Sequence, residues 1–211
     1  MITWPDLPPL ATVPSYAGWG AQRHRLQNMV TWQWRLPAFQ RERCWTAQRH
    51  ADYLTSVLRG EEQTPIVAWE HQGYGGAVLC LDGQHRLVTL GIALPGAPCP
   101  PIRIRLADAV AEPGEADDAQ TVALSRLCEF WRGRGRAAYE QRVGVGVFDR
   151  AFDIFARLND LDFPLILNRE RESAESWRRA RDYFTRLNRS VPFTAAELAD
   201  FDAFVDQRET P

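Results

Sequence analysis

The chain contains no lysine, since all 25 of its basic residues are arginine. Several mechanisms of phosphate and carbonyl chemistry depend on a lysine. The sequence therefore excludes a Walker A phosphate loop, the strand lysine of protein kinases and Schiff-base catalysis. Any phosphate that this protein binds must contact arginine side chains, backbone N–H groups or a metal ion.

Other absences narrow the class of protein further. No apolar run approaches the roughly 20 residues of a membrane span, and the N-terminus lacks the layout of a signal peptide, so we expect a cytoplasmic protein without a membrane partner. The four cysteines are scattered without a CxxC pair, which argues against a zinc cluster or a disulfide scaffold. A formal net charge of -2 excludes a uniformly cationic DNA-coating protein but leaves room for a local basic groove.

Strand and helix patterns alternate in the first half of the chain. Thr46 is a suitable N-cap for a helix over 47–59. Apolar and alternating runs predict strands over 30–36, 65–70, 77–81 and 102–106.

Helical periodicity begins at Thr121 and is interrupted by a late strand over 163–167. We therefore predict an α+β fold with a small mixed sheet, flanking helices and a helical C-terminal half. Residues 1–110 are expected to form the core. Residues 111–211 are expected to be a mostly helical continuation that packs on this core and completes the site, giving a single compact unit.

The segment Asp82-Gly83-Gln84-His85-Arg86 lies where a buried strand is expected to end and a helix over 84–93 to begin. Gly83 permits a sharp turn, and the first N–H groups of the helix are donors suited to an anion. Arg86 adds a planar fork for phosphate oxygens, whereas Gln84 and His85 add neutral donors. Asp82 would repel phosphates unless it binds Mg²⁺ or takes a proton from an attacking hydroxyl.

This residue set favours phosphoryl transfer, with Asp82, His85 and Arg86 as catalytic candidates and Asp82 as the metal ligand. The alternative is an ordinary turn with a capped helix and a surface arginine. Spacing alone favours the ordinary turn.

Three blocks of sequence, in order, resemble the DGQQR/DGQHR-motif domains of the ParB/sulfiredoxin-like superfamily. The likeness is closest to the N-terminal domain of GmrSD-type modification-dependent restriction enzymes. The blocks span 39–198 and are Phe39-Gln40-Arg41 with Trp45-Thr46, Leu81 to Leu87 with Thr89-Leu90, and Phe184 to Asn188 with Val191 to Thr194 and Glu197-Leu198. The chain departs from the family at Arg189-Ser190, where the family has a glycine pair, and no HNH-like nuclease cluster follows.

The resemblance implies a ParB/sulfiredoxin-like sheet with a nucleotide site, for ATP or GTP with Mg²⁺, at the DGQHR turn. Its expected nucleotide-binding residues are Gln40, Arg41, Gly83, Gln84, His85, Arg86, Arg186 and Asn188. For Gln40 and Arg41 the alternative is a solvated strand end, and for Arg186 and Asn188 it is capping of a helix C-terminus.

A cationic segment also suggests contact with nucleic acid. Arg132, Arg134 and Arg136 alternate with glycines and could grip a phosphate backbone, although an exposed loop of an arginine-rich protein would look the same. Trp45 is a candidate for stacking on a base, although most of the eight tryptophans are expected in the core.

Two enzymatic functions and one binding function fit these features. The first is a kinase that phosphorylates a hydroxyl, such as the hydroxymethyl group of a modified pyrimidine in single-stranded or flipped-out DNA, of the kind found in bacteriophages. The second is an NTPase or sensor subunit of a modification-dependent restriction or phage-defence system. The third is a binding module that has lost its chemistry.

Overall fold

The computed structural model describes residues 19–37, 45–61, 63–71, 77–115, 117–171, 173–187 and 195–206. Within these ranges the chain forms eight strands and eight helices, which confirms the predicted α+β class. None of the helices in this part of the chain is long and apolar enough to cross a membrane.

The strands form two sheets, one of five strands and one of three. Their bounds are β1 Trp19–Arg25, β2 Trp34–Arg35, β3 Ile66–His71, β4 Ala77–Asp82, β5 Ile102–Arg105, β6 Ala111–Pro113, β7 Thr121–Ala123 and β8 Asp162–Asn168. The main sheet has the order β1-β8-β3-β4-β2. It is mixed, because β3 runs parallel to β8 and β2 parallel to β4, whereas β1–β8 and β3–β4 are antiparallel. The small sheet is antiparallel, with β5 between β6 and β7.

The helices differ in length, and the longest has 16 residues. Their bounds are α1 Leu26–Met29, α2 Ala47–Leu58, α3 Gln84–Thr89, α4 Leu124–Trp131, α5 Arg136–Val143, α6 Val145–Asp160, α7 Ala174–Leu187 and α8 Ala195–Asp206.

Both faces of the main sheet are covered, because successive residues of a strand point to opposite faces. In β4, Val78 and Cys80 belong to the larger hydrophobic cluster, which also contains core residues of α1, α2, α3, α4 and α6. Leu79 and Leu81 belong to the smaller cluster, which contains core residues of α7 and α8. Residues 78–81 of β4 are thus buried between two groups of helices.

Most of the predicted strands and helices are present, and the largest error lies at 30–36. Only Trp34 and Arg35 form a strand there, because the chain first closes α1 and a turn, in which Trp34 Nε1 donates to Met29 O. β1 was not predicted. Three strands, β6, β7 and β8, occur within residues 111–211, and β8 lies inside the main sheet between β1 and β3.

Candidate functional site

The DGQHR segment forms the expected turn from strand to helix. Asp82 ends β4, Gly83 adopts φ +99°, and α3 begins at Gln84, with Leu87 N donating to Gly83 O at 2.9 Å. The helix is shorter than predicted. It ends at Thr89 because the chain turns at Gly91, where φ is +80° and a Cβ atom would collide with Cys128 Sγ.

Arg86 is buried, so the interpretation of this residue as a surface arginine is wrong. It is 8% exposed, and its Nη1 donates to Thr64 O at 2.7 Å and to Pro65 O at 3.1 Å. Its Nη2 donates to Asp82 Oδ2 at 2.6 Å. The guanidinium therefore ties the end of β4 to the residues that precede β3, and it fixes the position of the Asp82 carboxylate.

Gly83 makes room for this guanidinium. A Cβ atom at this position would lie 3.1 Å from Arg86 Nε, from Arg86 Nη2 and from Ile66 Cγ1. Such distances are closer than ordinary van der Waals contact, and the positive φ disfavours any side chain in addition. The glycine is thus required both by the turn and by the ion pair beside it.

The Asp82 carboxylate remains partly accessible, with 30% of its side chain exposed. Its charge reaches Tyr183 of α7, on the opposite face of the sheet. Burial raises the pKa of Tyr183 to about 12, and the negative charge of Asp82 adds to the increase. Burial likewise raises the pKa of the Cys80 thiol, again with a contribution from Asp82, so this thiol is neutral and unsuited to act as a nucleophile.

The His85 side chain packs between α3 and α2 instead of extending into solvent. Its ring stacks on Trp45, with the ring centroids 5.2 Å apart and the planes inclined by 11°. It makes an edge-to-face contact with the His50 ring, with the centroids 5.5 Å apart. Arg49 lies 5.1 Å from the centroid of the Trp45 ring. His85 and Trp45, which the sequence assigned to different ligands, are therefore neighbours in one aromatic group.

A hydrogen-bond chain fixes the tautomer of His50. The Thr89 hydroxyl donates to His85 O at 2.6 Å, which uses its single proton. His50 Nδ1 is in hydrogen-bond contact with the same hydroxyl oxygen and must therefore be the donor. The buried imidazole of α2 is thereby attached to α3.

Two tyrosines that the sequence did not single out lie within electrostatic range of the pair formed by Asp82 and Arg86: Asp82 acts on Tyr183, and Arg86 on Tyr53. Tyr53 of α2 lies 5.6 Å from the Trp45 ring, and its hydroxyl oxygen is buried without a hydrogen-bond partner in the described part of the chain. Sequence offered a signal only for Tyr183, which directly precedes the third block at Phe184.

The remaining predicted nucleotide-binding residues are only partly described. Gln40, Arg41 and Asn188 lie outside the described residues. Arg186 is in the last turn of α7, but the position of its side chain is likewise outside the description. Gln84 is the first residue of α3 and is half-buried.

The three arginines predicted to contact nucleic acid lie between the end of α4 and the first residue of α5. Arg132 and Arg134 are exposed in the loop between α4 and α5. The Arg136 guanidinium also lies over aromatic rings, 4.8 Å from the centroid of Phe152 and 5.3 Å from that of Phe155. All three arginines are thus exposed, and Arg136 in addition packs on rings of α6.

The described residues include no group of three or more histidine, cysteine, aspartate or glutamate side chains that could hold a metal ion. Mg²⁺ is commonly bound by one or two carboxylates together with substrate phosphates. Asp82 alone fits that pattern, because Arg86 bonds to only one of its two oxygens.

Comparison with protein-family models, with curated proteins and with solved structures gives no match to this chain. The resemblance to ParB/sulfiredoxin-like domains therefore stays a prediction from three sequence blocks. The site consists of a partly exposed carboxylate, which a buried arginine fixes at a glycine turn, and of an aromatic group around His85 on the helix that follows.

Proposed function

We propose that this protein binds a nucleoside triphosphate, ATP or GTP, at the Asp82 turn and transfers its γ-phosphoryl group to a hydroxyl. One observation carries the proposal. A carboxylate that is 30% exposed is held at 2.6 Å by a buried arginine, directly before a glycine with positive φ. A fixed carboxylate that a substrate hydroxyl can reach is suited to general-base catalysis.

In the proposed reaction the γ-phosphoryl group passes directly from the nucleotide to the acceptor oxygen. Asp82 takes the proton of the acceptor hydroxyl, whose oxygen forms a bond to the γ-phosphorus. The bond from this phosphorus to the bridging oxygen breaks, and a nucleoside diphosphate leaves. Mg²⁺ carried by the nucleotide phosphates would neutralise their charge, so that the Asp82 oxygen that Arg86 does not engage stays available to the proton. Arg86 acts through Asp82, because Asp82 and two backbone carbonyls are its hydrogen-bond partners.

As acceptor we propose a hydroxymethyl group on a modified pyrimidine of DNA, presented single-stranded or flipped out. The exposed Arg132 and Arg134 are suited to contact the DNA backbone. The sequence resemblance to enzymes that recognise modified DNA supports the same choice.

The second candidate is an NTPase or sensor that responds to modified DNA. It is favoured by the partial exposure of Asp82, because water can reach the same carboxylate and replace the hydroxyl acceptor. A hydrolytic site would release phosphate and signal to a separate effector.

The decisive experiment combines the protein with γ-labelled nucleotide, Mg²⁺ and hydroxymethylated single-stranded DNA. Label on the DNA is expected from the kinase, and free phosphate whose release is stimulated by DNA is expected from the sensor. Neither product, with any nucleotide or DNA, would contradict both candidates.

Asp82→Asn is expected to lower turnover by about a thousandfold, since a general base contributes about 10² to 10⁴. Asparagine keeps an oxygen for Arg86, so the fold is expected to survive. Asp108→Asn is the matched control, because Asp108, in the turn between β5 and β6, forms a similar pair with Arg105 at 2.8 Å. Equal turnover in both variants would remove Asp82 from the mechanism.

A further inference from the structure

The Tyr53 hydroxyl is an unusual feature of the interface between α2 and α3. Its oxygen is buried and has no hydrogen-bond partner among the described residues. Nearly all buried hydroxyls in native proteins are paired, because an unpaired one loses its bonds to water without replacement. An unpaired buried hydroxyl beside a candidate site therefore suggests a partner that arrives with a ligand.

The surroundings of Tyr53 define the chemistry of such a partner. Burial raises the pKa of this phenol well above its ordinary value, and the positive charge of Arg86 opposes that increase. The hydroxyl is thus protonated and can donate a hydrogen bond. The Tyr53 hydroxyl also lies within the electrostatic field of the Arg86 guanidinium, which holds Asp82. A donor in a positive field favours an oxygen that carries negative charge.

The Trp45 ring packs against Tyr53 and is itself partly exposed. Trp45 directly precedes Thr46, the N-cap of α2; it is half-buried, and its centroid lies 5.6 Å from that of Tyr53. Because the hydroxyl oxygen is covered in this structure, a ligand must displace a neighbouring side chain to reach it. Trp45 is a neighbour that is already partly exposed to solvent.

We propose that the Tyr53 hydroxyl donates a hydrogen bond to a phosphate oxygen of the nucleotide bound at the Asp82 turn. This inference rests on the proposed function and adds a contact from α2 to it. The phenol is a neutral donor, so it can contact phosphate beside the Arg86 guanidinium, which is already engaged with Asp82 and two carbonyls.

Tyr139 provides a matched control within the same chain. Its hydroxyl is also buried without a partner in the described part of the protein, and burial raises its pKa to about 12. Tyr139 lies on α5, away from the DGQHR turn. Its ring centroid is 5.8 Å from that of Phe130 and 6.3 Å from that of Phe148. Tyr53→Phe and Tyr139→Phe thus remove equivalent groups from different surroundings.

The test uses the full chain labelled with ¹³C at Cζ of its five tyrosines, each assigned by its phenylalanine variant. The ligands are the β,γ-imido analogues of ATP and GTP with Mg²⁺, and inorganic triphosphate with Mg²⁺. We expect the Tyr53 signal to move with an analogue and with triphosphate, while the Tyr139 signal stays. Movement with an analogue but not with triphosphate would place the contact on the base or ribose and overturn the proposed phosphate contact.

Tyr53→Phe is expected to weaken binding of the analogue by about ten- to a hundredfold, which is the usual loss for a hydrogen bond to a charged group. Tyr139→Phe is expected to leave binding unchanged. Both variants are expected to raise Tm by about 2 to 4 °C, since each removes an unpaired buried hydroxyl.

The inference and the proposed function fail in different ways. If the labelled-phosphate assay shows turnover that depends on Asp82 while the Tyr53 signal does not move, the Tyr53 contact is overturned and the function stands. If triphosphate moves the Tyr53 signal but no turnover occurs, the contact stands and the function is overturned. If neither analogue nor triphosphate binds, both are overturned.

Discussion

At residue 83 two constraints exclude a Cβ atom. The φ of +99° disfavours a side chain, and the space that a Cβ atom would need is occupied by the Arg86 guanidinium and Ile66. Glycine is therefore expected to be required here for the geometry of Asp82 as well as for the turn.

Gly83→Ala is expected to lower the free energy of unfolding by about 2 kcal/mol. Gly96→Ala is the control, because its φ is +74° and no heavy atom lies within 4 Å of a Cβ built there. That variant should lose only the backbone contribution, about 1 kcal/mol. Urea denaturation measures both values. Equal losses would mean that contact with Arg86 contributes nothing.

The sequence predicted the position of Asp82 and the conformation around Gly83, because a short apolar strand that ends in Asp-Gly is a strong local signal. It did not predict the partners of Arg86. Thr64 O and Pro65 O are more than twenty residues away in sequence, and they meet Arg86 only because β3 begins beside the end of β4. The orientation of a long side chain depends on such tertiary contacts.

At the scale of the element, α2 is the helix that brings Tyr53 and His50 to the motif. Thr46 accepts a hydrogen bond from Arg49 N at 3.2 Å and so caps the N-terminus of the helix. The cap adjoins Trp45, so the geometry of the first turn determines where the indole lies against His85.

Thr46→Ala is expected to lower the free energy of unfolding by about 1 kcal/mol, because one N–H group of the first turn loses its acceptor. Thr46→Ser keeps the hydroxyl and is expected to stay close to the original stability. The midpoint of urea denaturation distinguishes them. A serine variant as unstable as the alanine variant would show that the methyl group, and not the cap, is responsible.

Local patterns predicted α2 and β4 well, and β1 and β2 poorly. The stretch Trp19–Arg25 is rich in polar residues, and it becomes a strand because β8 pairs with it along its whole length. β2 is reduced to two residues because the preceding chain forms α1. Propensity identifies strands with an apolar pattern of their own, whereas edge strands depend on their neighbours.

At the scale of the whole molecule, β8 connects the two halves of the sequence. It pairs with β1 on one side and with β3 on the other, so both strands depend on residues far along the chain. The small sheet is similar, because β5 pairs only with β6 and β7 in the described part of the chain.

A fragment of residues 1–110 is therefore expected to show no cooperative thermal transition, since β1 and β5 lose the strands that pair with them. Adding a separately produced fragment of residues 111–211 is expected to restore the transition, as followed by circular dichroism. A sharp transition of the first fragment alone would contradict this expectation and identify an independent core.

The pairing of β1 with β8 also determines when this protein can reach its native state during synthesis. Trp19 can pair only after Asn168 has been synthesised, and Arg25 only after Asp162 has, because these residues are partners in the sheet. A nascent chain that has emerged only as far as α6 must leave β1 and one side of β3 without their β8 partner. Contacts this distant in sequence slow folding and prolong the exposure of strand edges. The growing chain is thus most vulnerable to aggregation until β8 has been made.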